Sequence, residues 1–369
     1  HRMTISTGAL LNDTAGVGFP HTITAHAGHN TVLGRDCILY DAKVGGTSAK
    51  RFFYCWSDNT DWDIGVCDMD ITTPTFDDDF MSTAPATPLS GYDAGKDYVH
   101  PMVVGADDIL YIGDRNYLHA YDGQNTADDD GKFFPAVLTL PAGWIITGMA
   151  KMSESLVIFA YYSASGSGDS FYYGESKAFF WDYLSSDPYR IKNLNDNTVV
   201  DGFEYLGTVA CITSGRPDGL NIGKTNRLQI FNGSEFEEVA VFGGNPPIRG
   251  GVDILGRQIR WLCSTGTGGW YIYSWRNNFD NSNKLNIIGE ISGGENYTSG
   301  FLRSFSQFLF VGSTGTGSAG KVEKMNTSKF NQSSVFYTSL TDFPNKIRLT
   351  KIRIKFRNST NNRSFTLSI

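Results

Sequence analysis

The stretch DDILYIGDRNYLHAYDGQ, residues 107–124, raises the question that decides the fold. Four polar side chains, Asp114, Arg115, His119 and Asp122, lie close together in it, and such a group has the composition of an active site. The same stretch also contains two short apolar segments, each followed by a polar turn. If this pattern recurs at a fixed spacing, we expect the polar residues to belong to repeating turns.

The pattern recurs six times along the chain. The first apolar segment of each repeat starts at residues 51, 109, 155, 208, 258 and 307, with the sequences RFFYCW, ILYIGD, SLVIFA, TVACIT, QIRWLC and QFLFVG. The next segment of each repeat is DIGVCDM, YLHAYDG, KAFFWDY, RLQIFNG, YIYSWRN or KVEKMNT. Glycines ahead of the first segment keep the same step, at Gly148, Gly202, Gly251 and Gly300. Three independent series therefore indicate one period of about 50 residues.

This period, with short strands and glycine-rich turns, predicts an all-β fold: a β-propeller built of four-stranded blades. The middle strands of stacked blades are buried on both faces, and the runs FFYCW, LVIFAYY and AFFWDYL are continuously apolar, as that burial requires. Outer strands are predicted at 133–140, 235–242, 284–291 and 334–340. Six blades of about 50 residues are visible, or seven if the termini complete another, and no amphipathic helix is predicted.

We expect three parts along the chain. Residues 1–44 form an N-terminal segment that can complete a blade, and residues 45–345 form the propeller. Residues 346–369 form a basic strand that closes the propeller or starts a further β domain. This strand could dock on an acidic neighbour, including another copy of the chain, or could be a charged edge that prevents unwanted pairing.

Charge and composition exclude several classes of protein. The net charge of −7 argues against a general nucleic-acid binder, whose affinity depends on neutralising phosphates. No apolar run approaches the roughly 20 residues of a membrane-spanning helix, so we expect no membrane insertion. No secretion signal is visible, and the opening at His1 is interpreted as a processed or internal start. Five cysteines without a C-x-x-C pair are expected to be free, mostly buried thiols: Cys37, Cys55, Cys67, Cys211 and Cys263.

The polar residues of the opening stretch are interpreted as turn residues. A short polar residue recurs after the third strand of the repeat, as Asp68, Asp122, Asp182, Asn232 and Asn326. Such side chains stabilise turns by bonding to nearby backbone N–H groups. Asp114 and Arg115 are assigned to a loop between two strands of one blade. The sequence therefore predicts no catalytic residue here.

Other motifs predict neither a cofactor nor a metal. GTGSAG at 315–320 has the spelling of a dinucleotide-binding loop, but a strand follows it where that motif requires a helix. His21, His26 and His29 could share a metal ion if the chain folds back, but incidental loop histidines are favoured. NTADDDGK at 125–132 lacks the first and the last acidic ligands of a calcium loop.

Three segments carry a resemblance to a known group of proteins. ILYIGDRNYLHAYDG (109–123), SKAFFWDYL (176–184) and IRGGVDILG (248–256) resemble β-propeller proteins among the virion structural proteins of tailed bacteriophages. The resemblance covers residues 45–345 and rests on the style of the strands. It implies a non-enzymatic component of the particle, in the tail or associated with the capsid, made in the bacterial host cytoplasm. Implied partners are other virion proteins, further copies in a symmetric assembly, and a host-surface glycan.

Three functions stay open at this point. The first, which we expect, is a rigid propeller platform for protein or host-surface contacts, without enzymatic activity. The second is a glycan-active enzyme, a glycosidase or depolymerase, that uses carboxylates such as Asp77 to Asp79 or the pair Asp107 and Asp108. The third is a lectin-like binding module.

Overall fold

The computed structural model of the chain divides into two compact units, His1–Asn326 and Thr327–Ile369. All described residues belong to the first unit, and they are 33–57, 62–68, 76–77, 79–83, 100–125, 129–162, 175–196, 198–215, 225–243, 251–264, 269–277, 283–292, 299–305, 308–314 and 321–324. The predictions for His21, His26 and His29, for the outer strand at 334–340 and for the basic strand at 346–369 lie outside the described residues.

The described residues form six antiparallel sheets, each made of strands that follow one another along the chain. Sheet 1 contains β1 (Leu33–Val44), β2 (Thr47–Ser57), β3 (Trp62–Asp68) and β4 (Phe76–Asp77), and sheet 2 contains β5 (Met102–Val104), β6 (Leu110–Asp114), β7 (Tyr117–Asp122) and β8 (Lys132–Thr139). Sheet 3 contains β9 (Trp144–Met152), β10 (Ser155–Tyr162), β11 (Ser176–Trp181) and β12 (Arg190–Asn193), and sheet 4 contains β13 (Thr198–Tyr205), β14 (Thr208–Gly215), β15 (Thr225–Phe231) and β16 (Phe236–Gly243). Sheet 5 contains β17 (Val252–Leu255), β18 (Gln258–Ser264), β19 (Gly269–Asn277) and β20 (Asn283–Ser292), and sheet 6 contains β21 (Ser299–Phe305), β22 (Phe308–Thr314) and β23 (Lys321–Lys324).

The fold is all-β and a β-propeller, as predicted, with five four-stranded blades in place of the six expected. Sheet 6 has three strands within the described residues, because the segment predicted as its outer strand lies outside them. Residues 33–44, which the repeat left in the N-terminal segment, form β1 and complete sheet 1. A four-residue helix, α1 (Phe80–Thr83), follows β4. No helix in the described part of the chain is long and apolar enough to cross a membrane.

Burial follows the position of a strand in its sheet. Every residue of β6 is buried, and so are the six central residues of β10, which confirms that the middle strands pack on both faces. The outer strand β12 alternates between partly buried and exposed residues. Such alternation is typical of a strand with one face toward solvent.

Consecutive sheets stack face to face. Four apolar clusters each combine residues of two neighbouring sheets, from sheets 1 and 2 through to sheets 4 and 5. The first strands of sheets 3 and 4 also meet, where Thr147 Oγ1 donates to the carbonyl of Val199 at 2.7 Å. A small sheet cannot bury its own faces, so each blade depends on the next for its core.

Candidate functional site

Three of the five predicted turn residues, Asp122, Asp182 and Asn232, accept hydrogen bonds from N–H groups of their turns, as expected, while Asn326 lies outside the described residues. Asp122 Oδ1 accepts a hydrogen bond from the Gln124 N–H at 3.0 Å. Asn232 Oδ1 accepts from the N–H groups of Ser234 and Glu235 at 2.9 and 3.0 Å. These bonds replace a backbone turn, which is why a short Asp or Asn recurs at this position.

Asp114 differs from its prediction as a loop residue. It ends β6, and its side chain is fully buried with those of His100 and His119. Its Oδ1 lies 3.8 Å from His100 Nδ1 and 3.9 Å from Arg115 Nε, and its Oδ2 lies 3.8 Å from His119 Nε2. His119 Nδ1 accepts from the Ala136 N–H at 3.1 Å, so a neutral His119 carries its proton on Nε2, toward the carboxylate. A cluster sealed from solvent cannot meet a ligand, so we assign it a structural role.

The described residues contain no group of three His, Cys, Asp or Glu side chains that could hold a metal ion. All five cysteines are in the thiol form, and the expected burial holds for four of them, while Cys37 is exposed. Burial raises the pKa of the Cys263 thiol to about 12 and also raises that of Cys211. Both thiols therefore stay protonated and unreactive.

A groove of about 430 Å³ lies between sheets 2 and 3. Sheet 2 supplies one side and sheet 3 the other, and the lining residues are Asp107, Ile109, Tyr111, Ala120, Phe134, Val137, Trp181, Asp182, Tyr183 and Leu184. Tyr111, Ala120 and Trp181 are almost fully buried, whereas Leu184 is 91% exposed. A concave, mostly apolar site of this volume is the size at which proteins bind small ligands or single side chains of a partner.

Three aromatic rings pack together at the buried part of the groove. The ring centroids of Tyr111 and Trp181 are 5.6 Å apart in an edge-to-face arrangement, and Tyr183 lies 5.4 Å from Tyr111 and 5.7 Å from Trp181. Trp181 Nε1 donates to the carbonyl of Ser185 at 2.6 Å, and the Tyr183 hydroxyl accepts from the Ala106 N–H at 3.1 Å. These bonds satisfy the polar atoms of the rings and hold the surface in one shape.

Two carboxylates lie at the groove, and both already accept hydrogen bonds. The Tyr111 hydroxyl donates to Asp107 Oδ2 at 2.6 Å. Burial, followed by this bond to a carboxylate, raises the pKa of Tyr111, so the hydroxyl remains a donor. Asp182 accepts from the Ser185 and Leu184 N–H groups and from Ser185 Oγ, and the bonds from Ser185 are the main cause that lowers its pKa.

Two side chains that pack at the next interface are replaced by others at the groove. In sheet 3, Phe180 on β11 pairs with Arg190 on β12. At the same register in sheet 2, Ala120 on β7 pairs with Phe134 on β8. An alanine therefore stands where the neighbouring blade has a phenylalanine, and a phenylalanine stands where it has an arginine.

Arg190 shows what closes the interface between sheets 3 and 4. Its guanidinium carbon lies 5.2 Å from the ring centroid of Phe180 and 5.0 Å from that of Phe231. Its Nη2 donates to the carbonyls of Gly233 and Ser234 at 3.0 and 2.7 Å. Aromatic rings and carbonyl oxygens together favour a cation, so Arg190 stabilises the contact between sheets 3 and 4.

Sequence reasoning found part of this site. Asp107, named as a candidate carboxylate, lies at the groove, whereas Asp77 and Asp79 are exposed in sheet 1 and before α1. Asp182 was interpreted only as a turn residue, and Tyr111 and Trp181 were missed as groove residues. The signal available was Ala120, a small residue in a repeat position that the next blade fills with an aromatic ring.

No protein-family model matches the chain, and no curated protein matches it in sequence. Among solved structures it is similar to AofleA from Arthrobotrys oligospora, with 9% identity, a TM-score of 0.47, and coverage of 80% of this chain and 86% of that one. A neuraminidase-like protein of the isolate A/flat-faced bat/Peru has 8% identity, a TM-score of 0.39, and coverage of 79% and 86%. Drosophila Semaphorin 1a, domains 1–2, has 9% identity, a TM-score of 0.40, and coverage of 80% and 87%. At these identities and scores the similarities transfer no activity to this chain.

Proposed function

We propose that this chain is a non-enzymatic interaction protein, and that the groove between sheets 2 and 3 receives an apolar side chain of a partner protein. The observation that supports this most strongly is the combination of buried aromatic rings and an exposed leucine in one concavity. Leu184 is the most exposed of the large apolar residues in the described part of the chain. Buried aromatic rings beside an exposed apolar side chain are typical of the centre of a protein interface.

The donors and acceptors of the groove favour an apolar side chain over a sugar. A sugar ring presents hydroxyl groups that need donors as well as acceptors. Among the described lining side chains, only Tyr111, Tyr183 and Trp181 carry donor hydrogens. Those of Tyr111 and Trp181 are already bonded to Asp107 and to the carbonyl of Ser185.

The carboxylates favour binding over glycoside hydrolysis. A general acid must hold its proton near neutral pH, which requires a raised pKa. The hydrogen bonds to Asp182 lower its pKa instead. Asp107 Oδ2 is already engaged by the hydrogen bond that it accepts from the Tyr111 hydroxyl.

A small neutral probe, 2-phenylethanol, tests the groove. We expect it to bind the protein with a dissociation constant on the order of 1 mM, measured by NMR titration. Val137→Asp, which places a charge in the apolar wall, should weaken binding by about tenfold. Val241→Asp is the matched control, because Val241 also lies on an outer strand but is 47% exposed and does not line the groove.

Two results would overturn the proposal. One is equal binding of 2-phenylethanol by the Val137→Asp and Val241→Asp variants, which would place the probe elsewhere. The other is a protein that binds a neutral monosaccharide but not 2-phenylethanol, and that loses the monosaccharide in the Val137→Asp variant. This result would favour the lectin-like alternative.

We also propose that the chain is a component of a bacteriophage particle, on the strength of the resemblance carried by residues 109–123, 176–184 and 248–256. In that setting the partner would be another virion protein or a further copy of the chain. Mass spectrometry of purified particles should find the chain at a fixed copy number. Its absence from particles of the phage that encodes it, or its origin in a genome without phage genes, would contradict this proposal.

A further inference from the structure

We infer that the group received by the groove is cationic: a lysine or arginine side chain of the partner, lying beside an apolar one. This inference rests on the proposed binding function of the groove and adds the charge of its ligand. It is drawn from the neighbouring interface, where the chain itself supplies the equivalent group.

The interface between sheets 3 and 4 is the template. There, Phe180 and Arg190 occupy the positions that Ala120 and Phe134 occupy in sheet 2. The first substitution removes an aromatic ring, and the second replaces a guanidinium with a ring, so the groove keeps one of the two groups, the ring of Phe134. The group that the groove lacks by comparison with the next interface is therefore the cation.

Sheet 3 presents to the groove an aromatic residue followed by a turn, as sheet 4 does to Arg190. Trp181 stands immediately before the turn residue Asp182, as Phe231 stands before Asn232. Arg190 packs on the Phe231 ring and bonds to the carbonyls of the turn after it. A cation in the groove would lie against the partly exposed rings of Phe134 and Tyr183, with the almost fully buried Trp181 behind them, and aromatic faces attract cations.

The charges at the groove point the same way. Asp107 and Asp182 both line it, and no basic residue does so among the described lining residues. Lys132 Nζ lies 5.2 Å from the ring centroid of the lining residue Phe134, so one ring of the groove already attracts an ammonium group. Sheet 4 has the neutral Asn232 at the position of Asp182, so this turn position carries a negative charge at the groove and none at the next interface.

Three probes of the same shape test the charge preference. They are 2-phenylethylamine, 2-phenylethanol and phenylacetate, which are cationic, neutral and anionic at neutral pH. We expect the amine to bind about threefold more tightly than the alcohol, and the acid about threefold more weakly, by NMR titration at low salt. The preference should shrink in about 0.5 M salt, because exposed charges are screened.

Two isosteric variants locate the effect. Asp107→Asn and Asp182→Asn should each reduce the preference for the amine over the alcohol, and the double variant should abolish it. Asp182→Asn is expected to fold, because Asn232 makes the same turn in sheet 4. Asp187→Asn is the control, since Asp187 is exposed and does not line the groove.

The outcomes separate this inference from the proposed function. If the amine and the alcohol bind equally well, or if the preference survives in the double variant, the groove binds apolar groups without charge selection and the inference fails. If none of the three probes binds, the proposed function itself fails.

Discussion

At the scale of single residues, the turn between β13 and β14 shows a conflict between sequence and conformation. Leu206 and Gly207 both have positive φ, 51° and 79°, and Leu206 is 56% exposed. Asn-Gly is the preferred pair for such a two-residue turn, because both residues tolerate the left-handed region. Burial of the Leu206 side chain contributes little stability to offset the energy of its positive φ, since more than half of the side chain faces solvent.

Leu206→Asn should therefore stabilise the protein. We expect an increase of about 0.5–1 kcal/mol in the free energy of unfolding, measured by urea denaturation.

Gly207→Ala is the converse test, because a Cβ there would meet nothing within 4 Å and only the backbone conformation is penalised. It should cost about 1 kcal/mol. No change in either variant would mean that the turn does not have this conformation in solution.

Asp182 links a turn to the pH dependence of stability. Hydrogen bonds from Ser185 and Leu184 lower its pKa below the ordinary value of 3.8. A lowered pKa means that the ionised form stabilises the fold, and that this contribution is lost as the pH falls below 3.8 through the lowered value. The stability difference between the parent protein and Asp182→Asn should be largest near neutral pH and shrink in acid, as measured by urea denaturation. A difference that stays constant across this range would refute the assignment.

At the scale of elements, close contact between β9 and β13 depends on two glycines. A Cβ at Gly148 would collide with the backbone of Gly202, and a Cβ at Gly202 would collide with the ring of Phe159. Phe159 is fully buried and cannot move aside. These glycines belong to the repeat series, so a backbone contact between blades explains the spacing that was visible in the sequence.

Gly202→Ala should destabilise the protein far more than Gly207→Ala. We expect a loss of about 3 kcal/mol, from overpacking between sheets 3 and 4. The two substitutions are chemically identical, so the difference between their unfolding free energies isolates the contact. Equal losses would show that the inner strands are not in contact at this point.

The Arg190 contact can be tested in the same way. Arg190→Met keeps most of the apolar stem and removes the guanidinium, with its bonds to Gly233 and Ser234. The expected cost is about 1–2 kcal/mol in thermal or urea unfolding. Lys192→Met, on the same strand, should change stability by less than about 0.5 kcal/mol. Similar effects of the two variants on stability would show that Arg190 does not stabilise the contact between sheets 3 and 4.

At the scale of the whole molecule, the repeat was sufficient to predict the fold. A period in apolar strands requires a period in sheets, and small sheets must stack to bury their faces. The outer strand predicted at 334–340 is not tested, because it lies beyond Lys324, the last described residue. Residues 33–44 were predicted only as part of a segment that can complete a blade. They form β1, the first strand of sheet 1, whereas the repeat was traced from the strand that follows it.

The groove could not be predicted in the same way. It depends on the absence of a side chain at Ala120 and on the register that brings Phe134 beside it. A small residue at one position of the repeat, Ala120, is a weak signal in a single sequence, and register is set by turns that vary between blades. Asp107 and Asp182 were each visible in the sequence, but only the stacking of two blades places them at one groove.

The most direct test of the account is to close the groove with the residue that closes the next interface. Ala120→Phe copies Phe180, and its ring should occupy the space beside Trp181. We predict that this variant loses detectable binding of both 2-phenylethanol and 2-phenylethylamine in an NMR titration, while its free energy of unfolding rises by about 1 kcal/mol, as cavity filling usually provides. Binding of either probe with unchanged affinity by a folded Ala120→Phe protein would contradict the account.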